Sequence, residues 1–79
     1  MMPYFTFLWT PENEQHIAEH GITKEEFEEV VMNPGERATS RSTGLPAVFG
    51  ETSTGKFIFC VYEPLDDLMV LPVTAYEVE

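Results

Sequence analysis

Cysteine, cationic side chains and long apolar runs are all scarce in this chain, and each shortage excludes something. A single cysteine, Cys60, rules out an internal disulfide framework and any cysteine-based zinc site. The longest unbroken apolar run, Phe57 to Tyr62, has six residues. A membrane-spanning helix needs roughly 20. No basic segment precedes an apolar stretch near the N-terminus, so we expect no secretory leader and a reducing, cytoplasmic setting. Lys and Arg number 4 against 14 Asp and Glu, a formal charge of −10. Backbone recognition of nucleic acid rests on cations that neutralise phosphates. A net field of the opposite sign repels a polyanion at range. RNA is therefore disfavoured as a partner unless a local basic patch receives it. An acidic body suits a basic partner, or serves only to keep a small protein soluble.

What is present describes a small globular domain. The chain has 79 residues, 43% of them hydrophobic and 13% aromatic. That composition argues against disorder. The length allows one domain, 1–79, with a thin core. Charge is uneven along it. Residues 1–29 carry seven acids and one base, Lys24, while Arg37, Arg41 and Lys56 all fall between positions 36 and 57.

Tyr4 to Trp9 is aromatic-rich and suits a strand. Thr10-Pro11 then starts a helix, with Thr as N-cap and Pro at the first helical position. His20-Gly21 ends it, with Gly supplying the left-handed conformation. Thr23 to Glu26 is a capping box for a second helix, and Ile22 with Phe27 forms the hydrophobic staple. Phe27, Val30 and Val31 give its apolar stripe, with Glu25, Glu26, Glu28 and Glu29 on the other face. Asn33-Pro34-Gly35 stops it.

Strands and turns follow. Glu36–Arg41 reads as a polar edge strand, Ala47–Thr52 as a short strand, Phe57–Glu63 as a central one and Leu68–Tyr76 as the last. Ser53-Thr54-Gly55 is a hairpin loop, and Pro72 requires an edge position or a bulge. The expected fold is α+β, in the order β-α-α-β-β-β-β. It has an antiparallel four- to five-stranded sheet with two short helices on one face. Two short helices cover only one side of such a sheet. Either Phe57, Phe59 and Val61 or Ile58, Cys60 and Tyr62 is left for a partner, a second copy or a different protein.

Few residues suggest chemistry. His16, Glu19 and His20 fit an H-x-x-E-H string, but no third ligand accompanies them, and His20 also suits a helix C-terminus. No metal or other cofactor is expected. Cys60 reads as a buried structural thiol. Gly50 to Lys56 lacks the order of a phosphate-binding loop. Arg37, Arg41 and Lys56, if brought near Glu51 and Tyr76, would form a cationic cluster able to hold a phosphate and pass a proton. Spread along edge strands, the same cations would only discourage aggregation.

Several segments together resemble a known family. They are Phe7-Leu8-Trp9 with Pro11, His20-Gly21-Ile22, Glu25-Glu26 and Asn33-Pro34, then Phe49-Gly50 and Gly55-Lys56-Phe57-Ile58. The set is similar to the BrnT-type toxins of bacterial type II toxin–antitoxin systems. The resemblance implies a RelE-like α+β fold, metal-free ribonuclease activity on messenger RNA and neutralisation by an antitoxin partner. Carried onto this chain, it assigns phosphate charge to Arg41 and Lys56, and proton transfer to Tyr76, Glu51 or His20. The chain departs from the family in being acidic. It has Lys56 where the family carries arginine after the glycine, and Tyr76 where it carries arginine near the end. A lysine keeps the charge but loses bidentate phosphate geometry. The alternative is a non-catalytic interaction module that binds protein through the sheet face or the acidic helices.

Overall fold

The structure is a computed structural model that describes residues 5–78. Tyr4, the expected start of the first strand, lies outside the described residues. Chain order is β1 (Thr6–Phe7), α1 (Pro11–Glu19), α2 (Lys24–Met32), β2 (Glu36–Thr39), β3 (Pro46–Glu51), β4 (Phe57–Pro64) and β5 (Met69–Glu77). The strands form one five-stranded sheet in the order β1-β5-β4-β3-β2.

The wholly antiparallel sheet expected from the short connections needs correction. β2, β3, β4 and β5 do form an antiparallel meander, but β1 pairs with β5 in parallel. A parallel neighbour requires a crossover long enough to reverse direction. The two helices and the meander supply it between β1 and β5. The sheet is therefore mixed.

Both helices begin as their sequences require. Thr10 caps α1, accepting from the Asn13 amide at 3.1 Å, while Asn13 Oδ1 accepts from the Thr10 amide at 2.8 Å. Asn13 here fills the place usually taken by Glu or Gln in a capping box. Thr23 and Glu26 make the same reciprocal pair at the start of α2, at 3.1 and 3.0 Å. Gly21 follows the His20 cap with φ of 79°, a conformation that strains any residue with a Cβ.

The helices share one side of the sheet. Ile17, Ile22, Phe27, Val30 and Val31 pack against Val48, Ile58, Cys60, Tyr62, Val70 and Ala75. Phe7 and Trp9 seal one end, each making an edge contact with Phe27, at 6.2 and 5.4 Å between ring centroids. Pro72 is buried on the outer rim of β5. The Leu68 and Val70 carbonyls on that rim accept from the Thr6 and Leu8 amides, and the Pro72 carbonyl accepts from Asn13 Nδ2 at 3.2 Å. With no strand opposite, a residue lacking an N–H fits there. A register shift between β4 and β5 adjoins it.

Three of the four glutamates of α2 are engaged within the fold, and Glu25 alone of the four is exposed. Glu26 is buried, Glu28 Oε2 accepts from Trp9 Nε1 at 2.7 Å, and Glu29 accepts from the Ser53 amide at 2.9 Å. A half-buried indole N–H needs an acceptor, and a hairpin tip with free amides attracts carboxylates.

Candidate interaction face

The helices leave the opposite side of the sheet uncovered. Alternation along β4 sends Ile58, Cys60 and Tyr62 to the helix side and Phe57, Phe59 and Val61 to the other. Register then adds neighbours that alternation in one strand does not reveal. Phe49 lies opposite Phe59 on β3, and Tyr76 lies opposite it on β5. The result is a continuous aromatic ladder. Phe57 stacks on Phe49 at 5.9 Å and 12°, Phe49 meets Phe59 at 4.6 Å, and Phe59 meets Tyr76 at 5.3 Å. Phe59, in the middle, is buried by its neighbours. The ends remain open, Phe57 at 45% and Tyr76 at 43% exposure. Ala38, Leu45, Val73 and Val78 extend the apolar ground.

Charge rims this face. Glu36 lies opposite Phe49, so it shares the face, and Glu51 and Glu63 follow Phe49 and Val61 at a spacing of two. All three are exposed, and among the described residues none of their carboxylates has a hydrogen-bond or ion-pair partner. Arg41 stands at one corner. With Ser42, Phe49, Phe59, Thr74 and Tyr76 it lines a concavity of about 490 Å³.

The five residues proposed for chemistry do not converge. Arg41 and Tyr76 line the same concavity on the open face. Lys56 is on the helix side, where its Nζ donates to the Gly21 carbonyl at 2.8 Å and pairs with Glu26 at 3.2 Å. Arg41 lies in the connection before β3 and Lys56 in the connection after it. A strand of six residues separates such positions by roughly 17–20 Å. His20 caps α1 in the helix layer, its ring edge-on to His16 at 5.3 Å. Glu51 is exposed at the far end of β3, opposite Phe57. Arg37 lines a separate hollow at the end of α2.

The histidines stand beside one another at the C-terminal end of α1, and the cysteine is buried in β4. His16 Nε2 is 3.0 Å from Thr74 Oγ1, which engages one ring nitrogen. Among the described residues no group of three or more His, Cys, Asp and Glu is placed to hold a metal ion. Burial pushes the Cys60 thiol up to about 12, so the thiolate is scarce at neutral pH. Among the described residues no helix is long and apolar enough to cross a membrane. Comparison with protein-family models, characterised proteins and solved structures finds no match for this chain.

Proposed function

We propose that this chain is a non-catalytic protein-binding domain that presents the open face of its sheet to a partner. The aromatic ladder Phe57–Phe49–Phe59–Tyr76 carries the reading. Aromatic side chains supply much of the energy of protein interfaces, and the largest apolar patch on a small protein is often a functional one. The dispersion of the ionisable groups supports it further. Metal-free cleavage of RNA needs a phosphate clamp and proton-transfer groups around one reacting centre. Lys56 is engaged by α2, and His20 and Glu51 lie away from Arg41.

A second reading, a BrnT-like ribonuclease toxin, draws on one observation: Arg41 and Tyr76 share a concavity. The two readings separate in one experiment. The purified chain is incubated with mixed RNA at low salt, with and without EDTA, beside Arg41→Ala and Lys56→Ala. The binding-domain reading expects no cleavage above that of the variants. EDTA-resistant cleavage abolished by Arg41→Ala would overturn it in favour of the nuclease. In parallel, a photo-crosslinking amino acid replaces Phe57 in cells that make the protein. A discrete protein adduct is expected there and not from the same group at Gln15 on the exposed side of α1.

A further inference from the structure

We infer that the open sheet face takes a cationic amphipathic segment of a different protein, apolar at its centre and bearing Lys or Arg at its margins. This rests on the binding-domain reading and names the partner's chemistry. The face itself states both requirements. Its centre is the aromatic ladder with Val61 and Ala47, and its rim carries Glu36, Glu51 and Glu63. Two of the four cations are engaged elsewhere: Lys24 pairs with Glu14 at 3.8 Å and Lys56 with Glu26 at 3.2 Å. Arg41 stands at one corner of the face and Arg37 shares the hollow beside α2 with Glu36, which leaves Glu51 and Glu63 with no ion-pair partner among the described residues.

Size and charge together argue against a second copy as the occupant. Four strands about 4.8 Å apart and three rows of outward residues outline an apolar patch on the order of 400 Å². A standard interface buries about 800 Å² on each partner. The rim must therefore take part in any stable complex. In an isologous dimer the same patch meets itself, so the unpaired glutamates of one copy would face those of another. Two chains of charge −10 also repel at range. A basic segment meets the same rim with complementary charge, which speeds association and suppresses wrong partners.

The probe is a synthetic 14-residue helix-forming peptide with Leu on one face and Lys on the other, and its control carries Glu in place of Lys. Net charge alone would attract any cationic peptide, so the variants hold net charge equal. Glu36→Gln with Glu51→Gln alters the rim, and Glu12→Gln with Glu25→Gln alters the helix side by the same amount. Thermal unfolding checks that each variant folds. The rim double and Phe57→Ser are each expected to weaken binding about five-fold or more, and the helix-side double less than about two-fold. Amide shifts from the Lys peptide should fall on Phe49, Phe59, Val61 and Tyr76.

Equal losses in the two doubles would overturn the inference, because the peptide would then be sensing net charge only. Equal binding of the Glu peptide would overturn it too. So would sedimentation showing a wild-type dimer that Phe57→Ser dissociates, which would assign the face to a second copy. The two levels of the argument fail differently. A protein crosslinked at Phe57 through an acidic or uncharged segment removes the inference and leaves the binding face. No protein adduct at Phe57 removes the face as a docking surface.

Discussion

Lys56 shows how a residue marked for chemistry can be engaged in holding the fold. Its ammonium group ties the β3–β4 hairpin to the start of α2 through the Gly21 carbonyl and the Glu26 carboxylate. Glu26 closes the same knot, accepting from the Thr23 amide, the Thr54 hydroxyl and Lys56. Burial by itself would raise the Glu26 carboxyl. The hydrogen bonds from Thr23, Thr54 and Lys56, and the lysine charge, outweigh it and hold the group below its ordinary 4.5. A carboxyl depressed by folding stabilises the native state above its unfolded value. That contribution is lost as pH falls through the folded value. Glu26 should thus support stability at neutral pH and lose that contribution progressively as pH falls below 4.5. Lys56→Ala leaves a buried carboxylate without its cation. We expect it to cost about 1–3 kcal/mol at pH 7 by urea unfolding, with the difference from wild type shrinking on acidification. An undiminished difference at pH 3 would mean that the lysine stem, not the charge, matters.

At the scale of elements, the contact between α2 and β3 depends on a missing side chain. A Cβ built at Gly50 would come within 2.9 Å of Val30 Cγ1. Val30 is buried and stiff at χ1, so it cannot swing away cheaply. Gly50→Ala is expected to destabilise by about 1–3 kcal/mol, the usual range for overpacking a filled core. Gly50→Ala combined with Val30→Ala should recover part of that loss, a coupling that a double-mutant cycle reads directly. No recovery would place the role of Gly50 in its backbone instead. Helix boundaries were legible in the sequence because caps and stops are local. Thr10-Pro11, Thr23 to Glu26 and Gly21 act within one turn of where they stand. The partners of Glu28 and Glu29 were not legible. Trp9 and Ser53 lie 19 and 24 residues away, and only tertiary folding brings them near.

For the whole molecule the governing fact is a charge of −10 on 79 residues. Self-repulsion of that kind opposes compactness, and salt screens it. Raising sodium chloride from about 10 to 150 mM shortens the screening length from roughly 30 to 8 Å. It should therefore raise the melting temperature by a few degrees, on the order of 4–8 °C per kcal/mol for a domain of this size. A fall would mean that the Lys56–Glu26 and Lys24–Glu14 pairs outweigh the general repulsion. If the sheet face is a docking surface, as proposed, the same acidity and the rim glutamates favour a basic protein over RNA there.

Much of the architecture followed from the chain alone, because it depends on local rules. Capping boxes, left-handed glycines and a period of two along β4 are properties of neighbours in sequence, and they sufficed for the elements, their order and the existence of an uncovered face. The parallel seating of β1 depended on which rim of β5 the chain returns to. The aromatic ladder depended on register, since Phe49, Phe59 and Tyr76 come from three strands. The fate of the cations depended on long-range pairing, which sent Lys56 to α2 and left Arg41 at the opposite end of β3. Residue types are inherited from the sequence, but proximity between distant residues is a property of packing, and a site is made of proximity.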